Sequence, residues 1–455
     1  MDGMAEARAT ADLTRVLAGM ASALAFDELS APVRELARQC VLDYLGVALA
    51  GAQDPLVRIL LNETAEAGGS PQASIIGHSE RLPALSAALV NGAAAHALDY
   101  DDVNMAMPGH PSVAILPGLL AVAELKGSSG PEFITAFVAG YETACRIGAA
   151  LRPGHYNLGF HSTGTIGSFG AAAACSRLLG LDGETTAIAL GIAGTQAAGL
   201  KSQFGTMCKP FHAGKAAQNG LLAARLAQRG LSSRTDIVEC VQGFALTHGP
   251  AFVPEASFAT PEAGFHLLAN LFKYHAACYF THAPIECARR LRAEHKLTPD
   301  MIAGITVKID ASCDRVCNIP IPVDGLQSKF SLRQTVAMAL AGVDTASLGA
   351  YNAENARDPG LVKLRERVRF EWQQGWPQTL SELELELADG RHVSARHDAG
   401  IPAADIAEQG DRLAAKFDAL VAPVLGAPRA RELREMISGL DDVADIRGLA
   451  RLAIG

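Results

Sequence analysis

Aromatic residues are scarce, at 5% of the 455 positions with two tryptophans. Stabilising a carbocation calls for aromatic walls, so the sequence is poorly suited to that chemistry. Positive charge is also short. Lys and Arg number 39 against 48 acidic residues, for a formal net charge of -9. That balance argues against the basic surfaces that hold nucleic acid or anionic membranes, and neither is expected as a partner. The nine cysteines form no CxxC pair, and an odd set of scattered thiols suits a reducing compartment. The most apolar run, Ser112 to Leu125, contains Pro117 and is too short to span a bilayer. The opening MDGMAEARATADLTRV lacks a basic segment followed by an apolar core. A cytoplasmic protein is the expectation.

Apolar residues are plentiful at 49%, against 19% charged, as in a compact globular protein of two or three domains. Up to about residue 265 the spacing predicts helix after helix. Ser30 caps the first clear one, with Pro32 in its first turn. Others are expected near 54–66, 82–98, 111–126, 131–151, 163–179, 183–199 and 212–229, with no β-rich run between them. GITVKIDA (304–311) then alternates as a strand, and ELELELADGRHVSA (382–395) reads as a hairpin turning at Asp389-Gly390. The expected fold is mainly α, a large helical domain built from both chain ends with a smaller α+β insertion. The boundaries are 1–266 for the first helical part, 267–401 for the insertion and 402–455 for the helical return.

Four polar islands interrupt this apolar chain. HALDYDDVNMAMPGHP (96–111) gathers Asp99, Asp101 and Asp102 between His96 and His110. GHYNLGFHSTGTIGSFG (154–170) sets His161 before Ser162 and Thr163, at an expected helix N-terminus where backbone N–H groups favour anions. KSQFGTMCKPFHAGKAAQNG (201–220) holds Lys209, which Pro210 biases towards an extended conformation ahead of the next helix. LFKYHAACYFTHAPIEC (271–287) carries His275, Cys278 and His282. Each residue also has a plainer reading. Asp101 or Asp102 suits a cap or loop brace, His161 a hydrogen-bonded core position, and Lys209 the surface. His96 suits packing on an Ala-rich helix, Cys278 a small apolar filler, and His155 and His212 loop or capping roles.

Taken together, HALDYDD with GHPS, GFHSTGTIG, GTMCKPFHAGKAAQNG and KYHAACYFTHAPIE resemble the MmgE/PrpD family. That family includes 2-methylcitrate dehydratases, cis-aconitate decarboxylases and iminodisuccinate epimerases. The resemblance runs along nearly the whole chain. It implies a helical domain with an α+β lid, a homodimer, and a small carboxylate substrate handled without metal or organic cofactor. Carried over by position, the catalytic residues fall on Asp99, His110, His161 and Lys209. Substrate binding falls on Lys209, Ser162, Thr163, Cys278 and His275. Cis-aconitate decarboxylases carry a histidine at the position of Cys278, which argues against itaconate production here.

The reactions so implied move a proton, or carry an anion, at a carbon beside a carboxylate. Without a metal this needs a base near neutral pKa, an acid for the leaving group, and cations for the carboxylates. Lys209 and the helix N-terminus after His161 would bind carboxylates, His161 and His110 would share proton transfer, and Asp99 would orient a histidine. A 2-methylcitrate-dehydratase-like hydro-lyase is the leading expectation. Dicarboxylate epimerisation and cis-aconitate-type decarboxylation are the alternatives. A metal enzyme built on the Asp/His cluster, a terpene-cyclase-like acid at Asp99 to Asp102, and a non-catalytic scaffold are more remote.

Overall fold

The computed structural model describes residues 12–259, 261 and 264–455. The protein is mainly α. Its principal helices are α1 (Leu13–Ala23), α2 (Ala31–Gly51), α3 (Pro55–Ala67), α4 (Ala84–Ala97), α5 (Pro111–Lys126), α6 (Gly130–Leu151) and α7 (Ser162–Leu179). They continue with α8 (Gly183–Gly194), α9 (Cys208–Gln228), α10 (His282–His295), α11 (Leu332–Ala341), α12 (Ile406–Leu425) and α13 (Ala427–Ser438). Many starts follow local chemistry. Asp54, Asp182 and Asp405 each accept from a first-turn N–H, and Ser129 with Glu132 forms a capping box. Ser30 sits at the N-cap of α2, but its side chain makes no capping hydrogen bond.

Two further expectations are corrected. α9 begins at Cys208 rather than His212, so Lys209 lies inside the helix. Pro210 is the third helical residue, and the first turn tolerates proline because its N–H has no intrahelical partner to lose. α8 stops at Gly194, short of Gly199. Two short strands, β1 (Ala73–Ser74) and β2 (Arg81–Leu82), also pair antiparallel within the helical stretch.

The chain divides into two compact units. The first holds the described residues up to Ala97, then Asp101 to Asn270 and Ala403 to the end. It is a stack of helices whose interior is lined by small residues, with larger anchors at Tyr44, Phe133, Phe137, Tyr141 and Phe169. Helix α5 is buried from Pro111 to Glu124. Close approach is built into the sequence where α4 meets α9. A Cβ on Gly92 would lie 2.7 Å from Gly214 Cα, and one on Gly214 would lie 2.2 Å from the Leu89 carbonyl oxygen. That contact joins the middle of α4 to the N-terminal half of α9.

The second unit comprises Leu98 to Tyr100 and Leu271 to Pro402. Its sheet runs β4-β3-β5-β6, from β3 (Ile302–Asp310), β4 (Val368–Gln373), β5 (Leu380–Leu387) and β6 (His392–Asp398). β3 is parallel to β4 and antiparallel to β5. The expected hairpin is β5–β6, with Glu386 opposite His392 and Gly390 at φ 85°. Ile305, Val307, Ile309, Leu383, Leu385 and Leu387 are all buried on one face, and α10 packs against β5 and β6. Among the described residues, no single helix is long and apolar enough to cross a membrane.

Candidate active site

The N-termini of three helices in the first unit bring three imidazoles and a lysine together. His110 is the N-cap of α5 and His161 the N-cap of α7, while Lys209 and His212 sit in the first turns of α9. Lys209 and His212 are three residues apart and so share a helix face. His96 joins them from the last turn of α4. The His96 and His110 ring centres are 4.5 Å apart, His96 and His161 5.8 Å, and His161 and His212 5.3 Å. The Nδ1 atoms of His161 and His212 lie 3.1 Å apart. Phe204 closes one side, with its ring centre 5.0 Å from that of His161 and 5.5 Å from Lys209 Nζ.

Local sequence explains the approach. Gly164, in the first turn of α7, has no room for a side chain: a Cβ there would lie 2.5 Å from the Ala198 carbonyl oxygen and 3.1 Å from His212 Cβ. The loop before α5 folds back on itself through Asn104 N donating to Gly109 O. The backbone N–H of His110 donates to Thr163 Oγ1, fastening α5 to α7.

Asp101 faces two of the rings. His96 Nδ1 lies 2.8 Å and 3.0 Å from its two oxygens, and His110 Nδ1 lies 3.0 Å from Oδ2. Burial alone would raise the Asp101 carboxyl, but His96 and His110 outweigh it and hold the group well below the usual range. Burial lowers His96 to about 3, with Lys209 and His110 adding to the fall and Asp101 opposing it. Burial, and then the Lys209 charge, also lower His161 well below its ordinary value, and the same two causes lower His212. These three rings are therefore neutral around pH 7. Asp102 turns away to accept from Ser112 Oγ. Burial, with Asp43 next, raises it to about 7.

The expected site residues fall into two groups. His110, His161, Lys209, Ser162 and Thr163 converge in the first unit. There the buried Ser162 hydroxyl has no hydrogen-bond partner among the described residues, while Thr163 is engaged by the His110 backbone. Asp99, His275 and Cys278 belong to the second unit. Lys273 Nζ donates to Asp99 Oδ1 at 2.9 Å and to the Asp99 carbonyl at 2.7 Å. His275 Nε2 lies 2.9 Å from Glu286 Oε1, and Thr345 Oγ1 lies 2.8 Å from its Nδ1. The buried Cys278 thiol is lowered by a hydrogen bond from Cys317, against the effect of burial.

Sequence reasoning gave the histidine-orienting part to Asp99. The carboxylate hydrogen-bonded to His96 and lying 3.0 Å from His110 Nδ1 is Asp101, and Lys273 takes up Asp99 Oδ1. His96 and His212 also stand in the cluster, where the sequence suggests only packing, loop or capping roles. The available signals were the five-residue step from His96 to Asp101 across a helix end, and the three-residue step from Lys209 to His212.

The first unit thus combines clustered imidazoles, a buried lysine and converging helix N-termini, where backbone N–H groups favour anions. Residues 15–255 match the MmgE/PrpD N-terminal domain and residues 275–442 the MmgE/PrpD C-terminal domain. The chain belongs to the MmgE/PrpD family. It is 27% identical to the cis-aconitate decarboxylase of Aspergillus terreus, over 98% of this chain and 97% of that protein. The cis-aconitate decarboxylases of Mus musculus and Homo sapiens are each 27% identical, over 97% of this chain and 93% and 95% of their own lengths.

Proposed function

We propose that this protein is an acid–base lyase acting on a small di- or tricarboxylate. The observation that carries this reading is the meeting of three helix N-termini, those of α5, α7 and α9, around Lys209 and the imidazoles. A lysine in the first turn of a helix is repelled by the positive end of the helix dipole, and an anion relieves that repulsion. The buried Ser162 hydroxyl, unpartnered among the described residues, adds a donor at the N-terminus of α7. A bound carboxylate would pair with Lys209 and raise the lowered imidazoles towards neutral pH, where they exchange protons effectively. His161 and His110 are the proton-transferring groups in this reading, and Lys209 and Ser162 hold the substrate.

For the reaction itself, 2-methylcitrate-type dehydration comes first. Rings held neutral are set to accept a proton from carbon, and the family resemblance implies a histidine in decarboxylases at the position of Cys278. Decarboxylation of a cis-aconitate-type acid is the second reading. It is favoured by similarity to cis-aconitate decarboxylases along almost the full length. His275, with Glu286 and Thr345 on its two nitrogens, fits a bracing part better than substrate binding.

The test is a panel of citrate, 2-methylcitrate, cis-aconitate and iminodisuccinate followed by NMR in D₂O. Water loss supports the dehydratase, and CO₂ release the decarboxylase. Deuterium exchange without elimination indicates an epimerase. No change in any of these acids would sink the carboxylate reading.

A further inference from the structure

Asp101 is buried, and its two oxygens receive nitrogens from two different rings. His110 Nδ1 also lies 2.8 Å from the backbone carbonyl of Asp102. Carboxylates and carbonyls only accept hydrogen bonds, so the Nδ1 of His96 and the Nδ1 of His110 must each carry a hydrogen. In a neutral imidazole the lone pair is then on Nε2. The Nε2 of His96 is buried without a hydrogen-bond partner among the described residues, and its ring centre is 5.8 Å from that of His161. A buried acceptor with nothing to accept from is costly, and a bound substrate or a water would remove that cost.

We infer that Asp101 is a positioning residue for two imidazoles at once, holding His96 and His110 as Nδ1–H tautomers with Nε2 as the proton-accepting atom of each. His96 thereby joins the proton-transfer set, a step that rests on the carboxylate-lyase reading above. The tautomers themselves do not depend on it. A metal ion bound through these Nδ1 atoms would require the opposite arrangement, with lone pairs on Nδ1.

The experiment is long-range ¹H–¹⁵N NMR of the substrate-free, histidine-labelled protein at pH 7.5, with the two rings assigned from His96→Gln and His110→Gln. Both rings are expected to show protonated Nδ1 and unprotonated Nε2. In Asp101→Asn the carboxamide offers one accepting oxygen and one donating NH₂, so this side chain can no longer hold both rings through Nδ1–H, and His110 Nδ1 keeps only the Asp102 carbonyl. Turnover of the best panel acid should fall by about 10²-fold or more while KM stays within about threefold, because Asp101 acts through the rings. An unprotonated Nδ1 on either ring overturns the inference, as does unchanged turnover in a folded Asp101→Asn. Should that variant fail to fold, the unmodified protein decides. If no panel acid reacts while both rings show Nδ1–H, the proposed activity falls and the positioning geometry stands.

Discussion

The Nδ1 atoms of His161 and His212 face each other across 3.1 Å. A contact of this length between two imidazoles needs one N–H and one lone pair, so the pair holds a single hydrogen between them. Two imidazolium rings could not share it. Burial and Lys209 lower both rings, which keeps the pair intact below the ordinary histidine range. The acid limb of kcat/KM should therefore lie below pH 6.5 and behave as one coupled group. His212→Ala removes the partner that fixes the His161 ring, and turnover should drop on the order of 10²-fold. A pH–rate profile of the folded variant checks this, and near-normal turnover would remove His212 from the mechanism.

Lys209 acts on the same rings through its charge. It lowers His96, His161 and His212. Lys209→Met removes that charge, so the three rings should become more basic and the acid limb should move to higher pH. The substrate would also lose a charged hydrogen bond worth ~1.5–3 kcal/mol, or roughly 10- to 100-fold in KM. A variant whose KM rises while its profile stays fixed would show that Lys209 binds substrate without tuning the imidazoles.

In the second unit, the three-residue segment Leu98 to Tyr100 is held by two lysines. Lys273 donates to Asp99, and Lys329 Nζ donates to the Leu98 carbonyl at 2.6 Å. Lys273 and Asp99 are both buried, and removing one partner of such a pair costs roughly 3–5 kcal/mol. Lys273→Met and Asp99→Asn should each lower the urea midpoint, and the double variant should lose less than the sum of the two. Additive losses would mean that the pair contributes no coupling energy. Asp99 has a positive φ of 52°, which helps turn the chain between two carboxylates only two residues apart.

That turn marks a limit to what the sequence reveals. The helices were legible because apolar spacing, caps and first-turn prolines agree, and the β5–β6 hairpin because Asp389-Gly390 demands a tight turn. The sequence puts the start of α9 too late because Pro210 biases Lys209 towards an extended conformation, although the first helical turn accepts proline. Within HALDYDD, the choice of carboxylate depends on backbone dihedrals. A positive φ at an aspartate leaves no mark in composition or period, so Asp99 and Asp101 could not be told apart. His96 was hidden for a related reason. On an Ala-rich helix a buried histidine reads as packing until a distant loop supplies its carboxylate. The Gly-flanked His161 and Lys209 islands were visible because glycine is needed where helix ends approach so closely.

Asp102 offers a test on stability rather than rate. Burial, and next Asp43, raise its pKa from the ordinary carboxylate value to about 7, while Ser112 opposes the rise. Between about pH 4 and pH 7 the folded protein therefore holds a proton that the unfolded chain has released. With more protons bound when folded, the contribution of this group to stability must decline as pH rises through that window. Asp102→Asn cannot ionise and can still accept from Ser112 Oγ. Its melting temperature should match that of the unmodified protein near pH 4 and exceed it above pH 7. The expected difference is on the order of 1 kcal/mol or more, since each unit of pKa shift corresponds to ~1.4 kcal/mol. Parallel melting curves from pH 4 to pH 8 would mean that Asp102 is ionised throughout. Its unpartnered Oδ1 would then be a buried charge that the fold tolerates at every pH.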